Sequence, residues 1–166
     1  MKLRRLTFDA LLTAIALTIF LVELQIPPLA PIPGVKMGLS NIVTVFAMFA
    51  MGPVDALLIL LIRILLGGLL SGQTMAILYS FAGGMLCYLS MLLLRKILTV
   101  RQIWVSSVIA AAAHNVGQMA VALLVTRTPA ILVYLPLLII TGMLAGLFTG
   151  LAAQFLTAKI SKRIGR

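Results

Sequence analysis

Acidic residues are almost missing from this chain of 166 residues: Asp9, Glu23 and Asp55 are all there are, against thirteen Lys and Arg. Three scattered carboxylates cannot pair as general acid and base, and they cannot assemble a Mg²⁺ site for diphosphate chemistry. One cysteine, Cys87, excludes an internal disulfide, and in its apolar surroundings it reads as a small core residue. A single histidine and a single cysteine give no metal-ligand spacing. No Walker A motif occurs, so nucleotide hydrolysis by this chain is excluded. Basic residues interleaved with aromatics are absent too, so the formal charge of +10 does not point to nucleic acid.

Apolar residues dominate instead. They make up 63% of the chain and charged residues 10%, a balance foreign to soluble domains. The apolar runs predict an all-α, polytopic membrane protein in a single domain, residues 1–166, with six helices. The expected helices are 7–24, 39–51, 54–70, 75–94, 103–125 and 130–158. The second is short for a span, which implies tilt or partial immersion. The first resembles a signal peptide, but its run is as long as a span and no A-x-A-like site follows, so it is read as a retained helix. Between the first two helices lies a loop, 25–38, whose Pro27, Pro28, Pro31 and Pro33 forbid helix and favour an extended path. No internal repeat is visible.

Ten of the thirteen basic residues fall in three clusters at the ends of apolar runs: Lys2, Arg4, Arg5; Arg95, Lys96, Arg101; Lys159, Lys162, Arg163, Arg166. The positive-inside rule then predicts cytoplasmic N- and C-termini, in the cell's inner (plasma) membrane. Lys36 and Arg127 fall outside, and Arg63 within the bilayer.

Polar residues inside apolar runs are expensive, so they carry the functional question. At about 1.5 Å per helical residue, Arg63, Asn41, Glu23, Gln73, His114, Asn115 and Gln118 all fall near the midplane or in the outer half. A hydrated cavity open to the outside is the expectation, lined by Arg63 and His114–Gln118 and covered by loop 25–38 with Lys36. His114 and Gln118 are four apart and share a helix face, with Asn115 alongside. Gly117 admits a close neighbour, helix or ligand. Structural packing is the plainer account of a lone membrane histidine. Arg63 could pair with Glu23 or Asp55, or could bind an anionic ligand.

Small residues form two further stripes: Ala10 and Ala14 on the first helix, and Gly142, Gly146 and Gly150 on the sixth. They serve either packing within the chain or docking of another membrane subunit.

Four blocks carry a resemblance: GLSN from Gly38 to Asn41, RILLGGLLSG from Arg63 to Gly72, SFAGG from Ser80 to Gly84, and HNVGQ from His114 to Gln118. They resemble the family labelled Gx transporter or heptaprenyl diphosphate synthase component I. That family is similar in turn to the substrate-binding S components of energy-coupling factor (ECF) transporters. The resemblance implies a six-helix bundle with a lidded, outward-facing site for a small amphipathic substrate, vitamin-like or a quinone or isoprenoid precursor. It implies docking through Ala10 and Ala14 to a transmembrane T component. It also implies two partner ATPases that carry the ATP and Mg²⁺, this chain needing no cofactor of its own. The synthase label implies an accessory membrane subunit of menaquinone side-chain synthesis.

Overall fold

The computed structural model describes residues 2–26, 36, 38–72 and 74–164. Residues 27–35 and 37, which include the four prolines of the loop, and Gln73 lie outside the described residues. Among the described residues the regular structure is entirely helical: α1 (Lys2–Glu23), α2 (Asn41–Ala50), α3 (Pro53–Ser71), α4 (Thr74–Leu94), α5 (Ile103–Thr126) and α6 (Leu135–Ile164), with short 3₁₀ turns at Val100–Gln102 and Pro129–Tyr134. Five helices are long and apolar enough to cross a membrane, and the chain is a multi-pass membrane protein; α2 is not long enough. Six membrane helices were expected, the second short for a span. At 10 residues, α2 reaches only about 15 Å, half of a hydrocarbon core.

The packing explains how so short a helix survives. α2 touches each of the other five helices, while α1, α3, α4, α5 and α6 pack in that order around it. Seven residues of α2 are buried (Asn41, Val43, Thr44, Val45, Phe46, Ala47 and Met48), leaving no polar face. A helix apolar all round belongs inside a protein. Its irregular ends also sit within the bundle, the setting in which a membrane tolerates non-helical backbone. At the lower end Gly52, with φ of 137°, turns the chain, and Pro53 opens α3 where its missing N–H is harmless.

α6 starts five residues later than expected. Pro136 can occupy a first turn but not a helix interior, so residues 129–134 form a 3₁₀ turn instead. The outward faces carry many exposed apolar side chains, including Leu69, Leu124, Val133 and Phe148, as a lipid-facing surface should.

Two pairings separate the alternatives left open above. Arg5 donates from Nε and Nη2 to the two oxygens of Asp55 at 3.0 and 2.6 Å, tying the start of α1 to the first turn of α3. Asp55 is therefore the partner of Arg5, not of Arg63. The second pairing concerns the glycine stripe of α6, which faces α5. A Cβ at Gly142 would strike the Asn115 side chain; one at Gly146 would lie 2.9 Å from the Ser107 carbonyl; one at Gly150 would lie 2.7 Å from Trp104 Cα. Gly142, Gly146 and Gly150 thus pack α6 against α5 and are not open to a docking partner, which could reach them only by displacing α5. Ala10 and Ala14 differ: both are exposed on α1.

Candidate functional site

Arg63 is built into α3 on its buried stripe, in register with Ile59, Leu60, Ile64 and Gly67. It is 2% exposed. Its guanidinium points at the start of α2, donating from Nη1 to Ser40 Oγ at 2.5 Å and from Nη2 to Asn41 Oδ1 at 3.2 Å. Gly38 makes this turn possible. Its φ is 79°, and a Cβ there would sit 2.8 Å from Asn41 Nδ2 and 3.1 Å from the His114 ring. The GLSN block is thus a glycine turn followed by two arginine acceptors.

From Asn41 a chain of polar contacts runs to α5. Asn41 Nδ2 lies 3.2 Å from His114 Nδ1, and His114 Nε2 lies 2.9 Å from Gln118 Nε2. Gln118 Oε1 accepts the Lys36 backbone N–H at 3.1 Å. That last bond orients the amide, so Gln118 presents N–H to His114. Asn41, whose Oδ1 accepts from Arg63, likewise turns its N–H₂ toward Nδ1, so two amide donors face a ring whose neutral form accepts at one nitrogen. Glu23 closes the other side, where its Oε1 accepts the Gly38 N–H at 2.5 Å.

Phe20 is the apolar centre of the cluster. Lys36 Nζ stands 3.9 Å from its ring centroid and the Arg63 guanidinium carbon 5.9 Å. Two cations on one ring use its negative face, an arrangement stronger where water is excluded. Burial pushes the Lys36 ammonium down to about 8; Glu23 opposes that shift and Arg63 adds to it.

The structure thus brings Arg63, Asn41, His114, Gln118, Lys36 and Glu23 together from four helices and one loop. Asn115 is not among them. Its side-chain N–H₂ donates to the Leu138 carbonyl of α6, because a helix that presents His114 and Gln118 inward turns the next residue toward its neighbour. The expected open, hydrated cavity is also corrected. The polar groups are enclosed, with Glu23 at 4% exposure and Gln118 at 1%. A narrow void between Gly38, Asn41, Cys87, Ser107 and Thr149 has room for about one water. Arg63 forms no ion pair with Glu23 among the described residues.

Ser40 and Phe20 were missed by sequence reasoning. Ser40 stands beside Asn41 in the quoted block and reads as an ordinary helix cap. Phe20 lies three residues before Glu23, on the same face of α1, but one phenylalanine among many apolar residues gives no signal.

The chain thus holds an enclosed polar cluster inside a small bundle of membrane helices. The chain belongs to the heptaprenyl diphosphate synthase component I family, whose profile matches residues 12–156. Its fold is that of a solved structure described as the S component of a bacterial ECF transporter. The two share 19% sequence identity at a TM-score of 0.63, over 99% of this chain and 97% of the other. No curated protein matches the chain.

Proposed function

We propose that this chain is the substrate-capturing S component of an ECF-type importer, taking a small amphipathic anion from the outside. In this reading the bundle lies with both termini in the cytoplasm, supported by the basic clusters at 2–5, 95–101 and 159–166. α2 joins the five long helices in the membrane, short of a full span and sheathed by protein. The chain catalyses nothing itself, and a T component with two ATPases supplies the energy. One observation carries the reading: Arg63 and half-buried Lys36 stand over one aromatic ring, and among the described residues no carboxylate is in ion-pair contact with either. Uncompensated buried cations call for an anion.

Native mass spectrometry of the protein gently released from its own membranes tests this. A retained acid together with T-component and ATPase masses is the expected result. The family name favours one other reading, an accessory subunit of prenyl diphosphate synthesis. Copurification of a soluble, Asp-rich synthase with no retained small molecule would establish that instead.

Docking and capture should separate. Ala10→Leu or Ala14→Leu adds bulk to an exposed stripe of α1 remote from the polar cluster. Such a variant should keep its ligand and lose its membrane partners on purification. Loss of ligand with partners retained would reverse the assignment of the two faces.

Binding should also depend on pH through Lys36. In the free site its ammonium titrates at about 8, below the ordinary 10.5. A bound anion favours the charged form and raises that value again, so above pH 8 binding must take up a proton. Affinity should therefore be level below pH 8 and fall above it, by up to about tenfold per unit. Lys36→Met should flatten the profile, and titration calorimetry across pH 6 to 10, values chosen as about two units either side of the shifted group, reads both.

A further inference from the structure

Three charged side chains meet around Phe20, and each keeps one buried atom without a hydrogen-bond partner: Arg63 Nε, Lys36 Nζ and Glu23 Oε2. Other atoms of the same groups are committed. Arg63 spends Nη1 and Nη2 on Ser40 and Asn41, and Glu23 spends Oε1 on the Gly38 N–H. Direct pairing would satisfy all three free atoms, yet among the described residues no ion pair within 4.0 Å joins Glu23 to either cation. The groups are nevertheless neighbours. Both cations stand over one ring, Glu23 follows that ring by three residues on α1, and the charge of Glu23 acts on both cations. Their attraction is favourable, but buried charged donors and an acceptor left without hydrogen-bond partners are costly unless something bridges them.

The bridging group has a definite chemistry. It must offer lone pairs to Arg63 Nε and Lys36 Nζ, and a hydrogen to Glu23 Oε2. A plain anion does the first and fails the second, since its lone pairs would face the carboxylate. A diphosphate fails further: two cations and one carboxylate leave a single net positive charge, which a monoanion balances and a multiply charged group exceeds. An amine or alcohol alone does the second and fails the first.

We propose that the ligand of this site is amphiprotic: a small molecule with one monoanionic group, held by Arg63 Nε and Lys36 Nζ, and an N–H or O–H group that donates to Glu23 Oε2. Its apolar part lies toward Phe20. Amino acids, hydroxy acids and acidic heterocycles with a ring N–H have this character; fatty acids and prenyl diphosphates do not. The inference rests on the reading of the cluster as a ligand site.

Glu23→Gln is the decisive variant. Its amide oxygen still accepts the Gly38 N–H, while an NH₂ replaces Oε2 and turns an acceptor into a donor at constant shape. Wild type and variant are purified in mild detergent from membranes of the native host. Retained small molecules are identified and quantified by native mass spectrometry, and thermal unfolding reports on the fold. The expected result is a wild-type ligand whose composition includes one acid and at least one N–H or O–H donor, with occupancy at least about tenfold lower in the variant. A ligand lacking a donor, a diphosphate, or unchanged occupancy in Glu23→Gln overturns the amphiprotic assignment and leaves the capture function standing. A wild-type protein that retains no small molecule overturns both, with water as the bridge. If the variant does not fold, the composition of the wild-type ligand still decides.

Discussion

Arg63→Met is expected to lower ligand occupancy on the order of a hundredfold while leaving a folded bundle. Truncating one partner of a buried, hydrogen-bonded charge typically costs about 2–5 kcal/mol of binding. Here the guanidinium is the deepest cation of the cluster and reaches Ser40, Asn41 and the ring of Phe20 together. Methionine fills much of the same volume, but it leaves the buried carboxylate of Glu23 without the nearby positive charge of the guanidinium. Ser40 Oγ and Asn41 Oδ1 also lose their donor, at about 1–3 kcal/mol for each polar atom left bare. Thermal stability should therefore fall as well, so occupancy is compared on protein that still gives the cooperative melt of a folded bundle. Arg63→Lys separates charge from shape: it keeps the positive charge and loses the planar fork that meets two acceptors at once, so binding should fall between wild type and Met. Ligand occupancy equal in all three proteins would remove Arg63 from the site.

Gly117→Leu should be the most damaging single change in the bundle. A Cβ at Gly117 would stand 2.7 Å from the Ala82 carbonyl oxygen and 2.9 Å from Gly83 Cα. These are backbone atoms of α4 and cannot swing aside as a side chain would. α4 and α5 must part, and Gly83 carries the His114 ring, so the polar network is pulled open with them. A loss of about 3 kcal/mol, roughly ten degrees in melting temperature, is expected from overpacking of this kind. Gly72→Ala is the control. Gly72 has φ of 64° with open space around it, so only backbone strain of about 1–2 kcal/mol is felt there. A Gly117→Leu protein that melts with wild type would show that the two helices are not held at this distance.

The main outline was readable from composition and periodicity alone. Long apolar runs bounded by Lys and Arg give membrane helices, because lipid offers no partner for backbone or charge and the chain must satisfy both locally. The same rule singled out Arg63, His114 and Gln118, since a polar side chain at such positions survives only with a reason. Glu23 and Asn41 were placed at the same level by counting residues and Lys36 in the loop that covers them, and the three lie near one another in the bundle.

What only the tertiary structure decided concerns direction and partnership. Counting along a helix could not tell that Asn115 turns to α6 while its neighbour His114 turns inward, since both lie within one turn. It could not choose between Glu23 and Asp55 for Arg63, because Arg5, fifty residues away from Asp55, claims that carboxylate. The glycines of α6 and the alanines of α1 look alike in sequence. They differ in what lies opposite: α5 against the first, and an open face beside the second. The length of α2 was legible, but its central place was not, for burial on every side is a property of five neighbours and not of ten residues. Local chemistry decides which groups are costly in a membrane; packing decides which of them meet.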